Sequence, residues 1–142
     1  MSDSDEMALD YLLIADAAQV SGGKLFMIGG GWDRLLVARL PGSSSLPFFV
    51  AFGVGVPWSH TNRRFHFVVD LLNADEEQVD QLVSGEFEVT RPPGVTPGAR
   101  QRAQFAGPAR PEFPAAGKYA IRLSVDGKAL GETSIEVRSH ES

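Results

Sequence analysis

Met27 to Leu35 reads MIGGGWDRL, and a run of three glycines is the material from which phosphate cradles are made. A P-loop requires G-x-x-x-x-G-K-[ST] leading into a helix, and the dinucleotide fingerprint requires G-x-G-x-x-G within a βαβ unit. Neither pattern is met: Arg34 stands where the third glycine of the fingerprint would fall, and LLVARL after it has the composition of a strand. Gly29, Gly30 and Gly31 are therefore read as a positive-φ turn or bulge at a strand end. In that reading Trp32 covers the open end of a sheet and Asp33 hydrogen-bonds the backbone of the turn.

A second cluster, VPWSHTNRRFH, gathers Trp58, His60, Asn62, Arg63 and Arg64 in a segment polar enough to be an exposed loop. Tryptophan and arginine are over-represented in binding hot spots. Together with Trp32, Asp33 and Arg34, these residues make up the candidate interaction surface. The competing reading is that Trp58 caps the core and its polar neighbours are solvated.

Spacing does not assemble a catalytic constellation. The three histidines, His60, His66 and His140, have neither HExxH nor His-x-His spacing, so no metal site is expected. There is no G-x-S-x-G elbow, and the absence of cysteine removes disulfides, thiolate catalysis and Cys-ligated zinc. Glu86 and Glu88 share the outer face of one strand and solubilise it, whereas glycoside hydrolysis needs two carboxyls opposed across a cleft. RPEFP, Arg110 to Pro114, has P-x-x-P spacing, but in a proline-rich crossover Phe113 is expected to be buried. The residues point to a non-enzymatic protein that needs no cofactor.

The chain that must position these groups has 142 residues, enough for one domain with its own core, and its 43% hydrophobic and 22% charged residues are ordinary for a globular protein. A net charge of -5 argues against a general nucleic-acid binder, because affinity for phosphate backbones rests on clustered Lys and Arg. The N-terminus MSDSDEMALD is acidic where a secretory signal is basic, so the expectation is cytoplasmic residence. LPFFVAFGVGVPW, the longest nonpolar stretch, falls short of a spanning helix of about 18 apolar residues and is broken by Gly and Pro. No membrane association is expected.

Short β-branched and aromatic runs separated by Gly, Pro, Asp and Ser predict an all-β fold: one antiparallel β-sandwich of eight or nine strands over residues 8–138, between mobile tails at 1–7 and 139–142. LDYLLIAD is apolar on both faces and is read as a strand covered on both sides, turning through Ser21 to Gly23 into a hairpin. PFFVAFGVGV places Phe48, Val50, Phe52, Val54 and Val56 on one face, with Phe49, Ala51, Gly53 and Gly55 on the other. The small face leaves room for a neighbouring aromatic ring or a close backbone. RRFHFVVDLL and GEFEVT are half-buried strands, with Phe65, Phe67, Val69 and Leu71 inward and His66 outward, and NADEEQVDQLV between them is read as a turn and a strand rather than a short helix. TRPPGVTPGA and GPARPEFPAAG are proline-rich crossings between sheets. GKYAIRLSV and TSIEVRS close a hairpin through a type I′ turn at Asp126-Gly127, with a bulge near Gly131 because Leu130 is out of phase with Ile135.

AAGKYAIRL resembles the tyrosine corner of immunoglobulin-like sandwiches, in which Tyr119 would hydrogen-bond back to the upstream connection. Ile121 stands where an antibody domain carries its second cysteine, so the resemblance is to the architecture alone. More broadly, ADAAQVSGGKLFMIGGGWDRL, FGVGVPWS and GKYAIRLSVDG, in that order, resemble a family of small uncharacterised bacterial proteins. That resemblance implies the fold and a bacterial origin but no mechanism. Three functions follow in order of expectation: an interaction module with an unidentified protein partner, a self-associating homo-oligomer, and a small-molecule binder with a pocket near the GGGWD turn.

Overall fold

The computed structural model describes residues 6–140. Nine strands are present among them: β1 (Ala8–Ser21), β2 (Lys24–Gly30), β3 (Arg34–Val37), β4 (Phe48–Val56), β5 (Arg64–Leu72), β6 (Gln78–Glu88), β7 (Gln101–Ala109), β8 (Gly117–Val125) and β9 (Lys128–Ser139). They form a four-stranded sheet, ordered β2-β1-β4-β7, and a five-stranded sheet, ordered β3-β9-β8-β5-β6. The all-β expectation holds. Every named pairing is antiparallel except that of β3 with β9.

The core lies between the two sheets and is built by the alternations read from the sequence. Phe48, Val50, Phe52, Val54 and Val56 of β4 face Phe67, Val69 and Leu71 of β5 and Ile121 and Leu123 of β8, all at most 3% exposed. The opposite face of β4 also fulfils its expectation: a Cβ on Gly53 would overlap the ring of Tyr11, which lies across the glycine. The Tyr11 hydroxyl donates to Gln104 Oε1 at 2.5 Å, tying β1 to β7 over β4. Burial raises the Tyr11 pKa above the ordinary phenol value; Arg102 opposes the shift and Asp10 adds to it.

Both predicted hairpins form, with positive φ at Gly22 and Gly23 in the first turn and at Asp126 and Gly127 in the second. The bulge in the β8–β9 hairpin is also present: Leu123 pairs with Gly131 and Ser124 with Ala129, which leaves Leu130 as the extra residue. The Tyr119 hydroxyl donates to the Ala115 carbonyl at 2.6 Å, and Phe113 is fully buried against the Tyr119 ring, 5.3 Å between centroids. Asn73 caps the turn before β6, accepting through Oδ1 from the N–H groups of Asp75 and Glu77, so this segment is a turn and a strand.

Three expectations need correction. β1 is not covered along the whole of both sides: Leu12 and Ile14 face the core at 7% and 2%, but Leu13 is 36% exposed on the outer side of the sheet. GPARPEFPAAG is not connection throughout, since Gly107, Pro108 and Ala109 belong to β7. Pro108 is tolerated there because β7 is an edge strand and one side of it has no ladder to supply. The tails are shorter than expected within the described residues, as Met7 packs on the core and Ser139 pairs with Val37; residues 1–5 and 141–142 lie outside that range.

Candidate interaction surface

The eight candidate residues fall into two groups. Trp58, His60, Asn62, Arg63 and Arg64 follow the end of β4, the first two in a single 3₁₀ turn. Trp32, Asp33 and Arg34 lie at its start, where the Trp32 ring meets Phe48 edge-on at 6.0 Å. β4 runs nine residues from Phe48 to Val56. At about 3.3 Å per residue that puts roughly 26 Å between the groups, so the two tryptophans do not share a surface.

The Trp58 loop is held from within. Arg91 lies over the Trp58 ring at 4.0 Å, and its guanidinium donates to the Trp58 carbonyl at 2.9 Å and to Thr61 Oγ1 at 2.6 Å. Thr61 in turn donates to the same carbonyl at 2.7 Å. Asn62 adopts φ 62° and donates its N–H to the Val89 carbonyl at 2.7 Å, while Arg63 covers the Phe65 ring at 5.1 Å. Arg64 pairs with Glu86 across β5 and β6 at 3.7 Å, and both side chains are mostly in solvent. The aromatic and basic groups singled out here thus spend much of their contact capacity on the fold.

At the other end Asp33 acts through its backbone, its carbonyl accepting from Glu136 N–H at 2.8 Å where β3 joins β9. Trp32 is half-buried, and its Nε1 is closed to solvent with no hydrogen-bond partner. A crevice of about 380 Å³ opens beside it between Asp16, Leu46 and Phe48. Because the indole nitrogen is closed to solvent, the crevice does not present that donor to a ligand. Among the described residues there is also no group of three or more His, Asp or Glu placed to hold a metal ion.

A different surface stands out when the outer faces of the two sheets are compared. The five-stranded sheet is dressed with charge: Arg122 of β8 binds Glu132 of β9 at 2.8 Å and Glu76 at 2.9 Å, and these two carboxylates hold its pKa above the ordinary arginine value. The four-stranded sheet is dressed with hydrocarbon. Across its outer side Leu13 pairs with Ala51, Ala15 with Phe49, and Ala17 with Ile28. Ile28 is 73% and Phe26 56% exposed. Between the Phe26–Ile28 ridge and Phe49 runs a shallow groove of about 440 Å³ floored by Ala17 and Ala18.

Sequence reading found part of this face, in the doubly apolar YLLIAD and the small side of FVAFGVGV. It missed Phe26 and Ile28, although in KLFMI apolar residues fall on both parities, the mark of a strand that is apolar on each side.

A family model matches residues 10–138. The chain belongs to DUF6941, a family of unknown function. The DUF6941 match covers all nine strands except the ends of β1 and β9. No curated protein matches this DUF6941 chain. Among solved structures it is similar to Pseudomonas fluorescens alkylpurine DNA glycosylase AlkC, bound to DNA containing an abasic site analog, at 12% identity and a TM-score of 0.45. The similarity covers 94% of this chain, which spans 31% of that one. No helix among the described residues is long and apolar enough to cross a membrane.

Proposed function

We propose that this protein is a non-enzymatic interaction module of the bacterial cytoplasm that binds another protein surface through the outer face of β2-β1-β4-β7. The observation that carries the reading is the asymmetry between the two outer faces. A sheet face adapted to solvent alternates polar residues outward, as β5, β8 and β9 of the five-stranded sheet do, whereas its short edge strand β3 exposes Leu36 at 54%. A face presenting Leu13, Phe26 and Ile28 to water has the character of a binding patch. The Trp58 loop and the Trp32 end are secondary in this reading, because their aromatic groups are already engaged.

The fold is best understood as immunoglobulin-like. What supports this is the parallel β3–β9 edge beside a β9-β8-β5-β6 order, and the Tyr119 hydroxyl bonded back to Ala115 four residues upstream.

The test is affinity capture of the tagged protein from its own source cells with Ile28→Lys run in parallel. Ile28 is exposed enough that the lysine leaves the fold intact. A protein held by the parent and lost from the variant supports the reading; equal capture by both rejects this face.

A further inference from the structure

The face just described is not a single plane, because the β1–β2 hairpin leaves the sheet and is tied back across it. Resting on the reading of that face as a binding surface, we infer that the hairpin is a hinged jaw. Beyond Ala15 it moves as a unit against the sandwich, and a latch at Gln104 of β7 sets the width of the groove that it forms with Phe49.

The hinge lies where β1 changes partner. Its first half pairs with β4 as far as the Ala15–Phe49 rung, and its second half pairs with β2 alone, from Ala15–Gly30 to Ser21–Lys24. Opposite this exchange stand Gly29, Gly30 and Gly31. Gly29 and Gly31 hold φ at 61° and 86°, which costs a glycine little, and a Cβ on Gly29 would strike the Asp16 carboxylate. Glycines at a change of strand partner leave the backbone free to absorb the rotation of a hinge.

Beyond the hinge the hairpin takes no part in the core. No residue from Asp16 to Gly31 is buried, and none is among the side chains packed on the core cluster. One side of the hairpin, with Ala18, Val20, Leu25 and Met27, is half-buried; the other carries Phe26 and Ile28 and is exposed. Segments with so few buried apolar contacts supply the low end of a protein's local stability.

The tip is held by one side chain. Gln104 Nε2 donates to the Gly23 carbonyl at 2.8 Å, which draws the hairpin back across the outer side of β4 to β7, and Gln104 Oε1 accepts from the Tyr11 hydroxyl, which fixes the orientation of the amide. The groove lies along the hairpin so held. Phe26 and Ile28 are the wall that travels with it, and Phe49 is the wall that stays with β4. An exposed hydrogen bond, backed by little burial, is a latch that opens within the folded state.

Amide hydrogen exchange of the purified full chain tests the hinge without any partner. A two-stranded hairpin released from its sheet is marginal in water, so its amides exchange each time it opens. The rungs from Ala17–Ile28 to Val20–Leu25 should exchange as one group, about a hundredfold or more faster than those joining β4 to β7. Gln104→Glu keeps an acceptor for Tyr11 and loses the donor to Gly23, so it should speed that group by roughly tenfold and leave β4, β5 and β8 unchanged. Hairpin amides protected as strongly as those of β4, or exchange raised equally throughout the chain by Gln104→Glu, overturns the hinge. In the capture experiment Gln104→Glu should lower the yield of partner severalfold, since the groove is then formed in only a fraction of the molecules. A yield equal to the parent's, where Ile28→Lys removes the partner, overturns the jaw. If Ile28→Lys captures as much as the parent while the hairpin still exchanges apart from the sandwich, the binding reading fails and the hinge stands.

Discussion

Trp32 combines a half-buried ring with a donor that has nothing to donate to. The ring's packing on Phe48 and the orphaned Nε1 act in opposite directions, and substitutions separate them. Trp32→Phe keeps an aromatic ring and deletes the donor, so its unfolding free energy should stay within about 1 kcal/mol of the parent, the lost indole area offset by the removed desolvation penalty. Trp32→Ala loses the ring as well and should cost about 3 kcal/mol, the low end for aromatics because the ring is only half-buried. Urea unfolding distinguishes the pair; equal large losses would mean the donor has a partner after all. Asp70 poses a related question of charge. Burial raises its pKa above 3.8, against a hydrogen bond from Gln78 and the field of Arg122. A carboxyl with a raised folded pKa disfavours its own ionisation, so the stability it contributes is present below the unfolded pKa and is lost as pH rises through the folded one. Asp70→Asn keeps an acceptor for Gln78 Nε2 and cannot ionise. It should gain stability relative to the parent at neutral pH, and the gain should vanish near pH ~3, where the parent carboxyl is protonated too. A gain that is the same at both pH values would place the cause elsewhere.

At the scale of strands, the Tyr11–Gly53 contact across β1 and β4 shows how a glycine serves a sheet. A methyl at Gly53 has to displace the Tyr11 ring, which is fixed by its bond to Gln104, whose Nε2 in turn donates to the Gly23 carbonyl at 2.8 Å. Gly53→Ala should therefore destabilise by about 1–3 kcal/mol. In the Tyr11→Ala background the same change should cost far less, and chemical denaturation of the four proteins gives the coupling directly; additive costs would mean the ring does not set the constraint. The legible and illegible parts of this fold divide along the same physics. Period-two alternation identified the inward faces of β4, β5 and β8 because the core enforces it on every residue. It could not say whether the second apolar side of β1 and β2 is covered, since Leu13 and Ile28 read alike whether they meet another layer or water. The β3–β9 pairing was also hidden, because β3 is four residues long and its partner lies about a hundred residues away. At the candidate surface the sequence shows the residue types but not how the chain places them. Nothing local reveals that Arg91, thirty-three residues on, lies over Trp58, or that β4 separates the two tryptophans.

Taken as a whole, the molecule has one phenylalanine-rich seam that joins its sheets and one phenylalanine, Phe26 of β2, that lies largely in solvent. Phe105 of β7 sits 5.7 Å from Phe52 in its own sheet and 4.8 Å from Phe67 in the other, and Phe67 lies 6.3 Å from Phe87 of β6. This seam closes the side where β6 and β7, both edge strands, face each other without sharing a ladder. Phe26 has the same side chain on the same sheet but points to the opposite side and is 56% exposed. Burial, not residue type, decides what each contributes. Phe105→Ala opens a gap in the seam and should cost about 3 kcal/mol in a single cooperative transition, because both sheets lose a contact at once. Phe26→Ala should cost less than about 1 kcal/mol, because the ring is 56% exposed. If Phe26→Ala were as costly as Phe105→Ala in dilute solution, the outer face would already be covered within a single chain, and it would not be free to receive a partner.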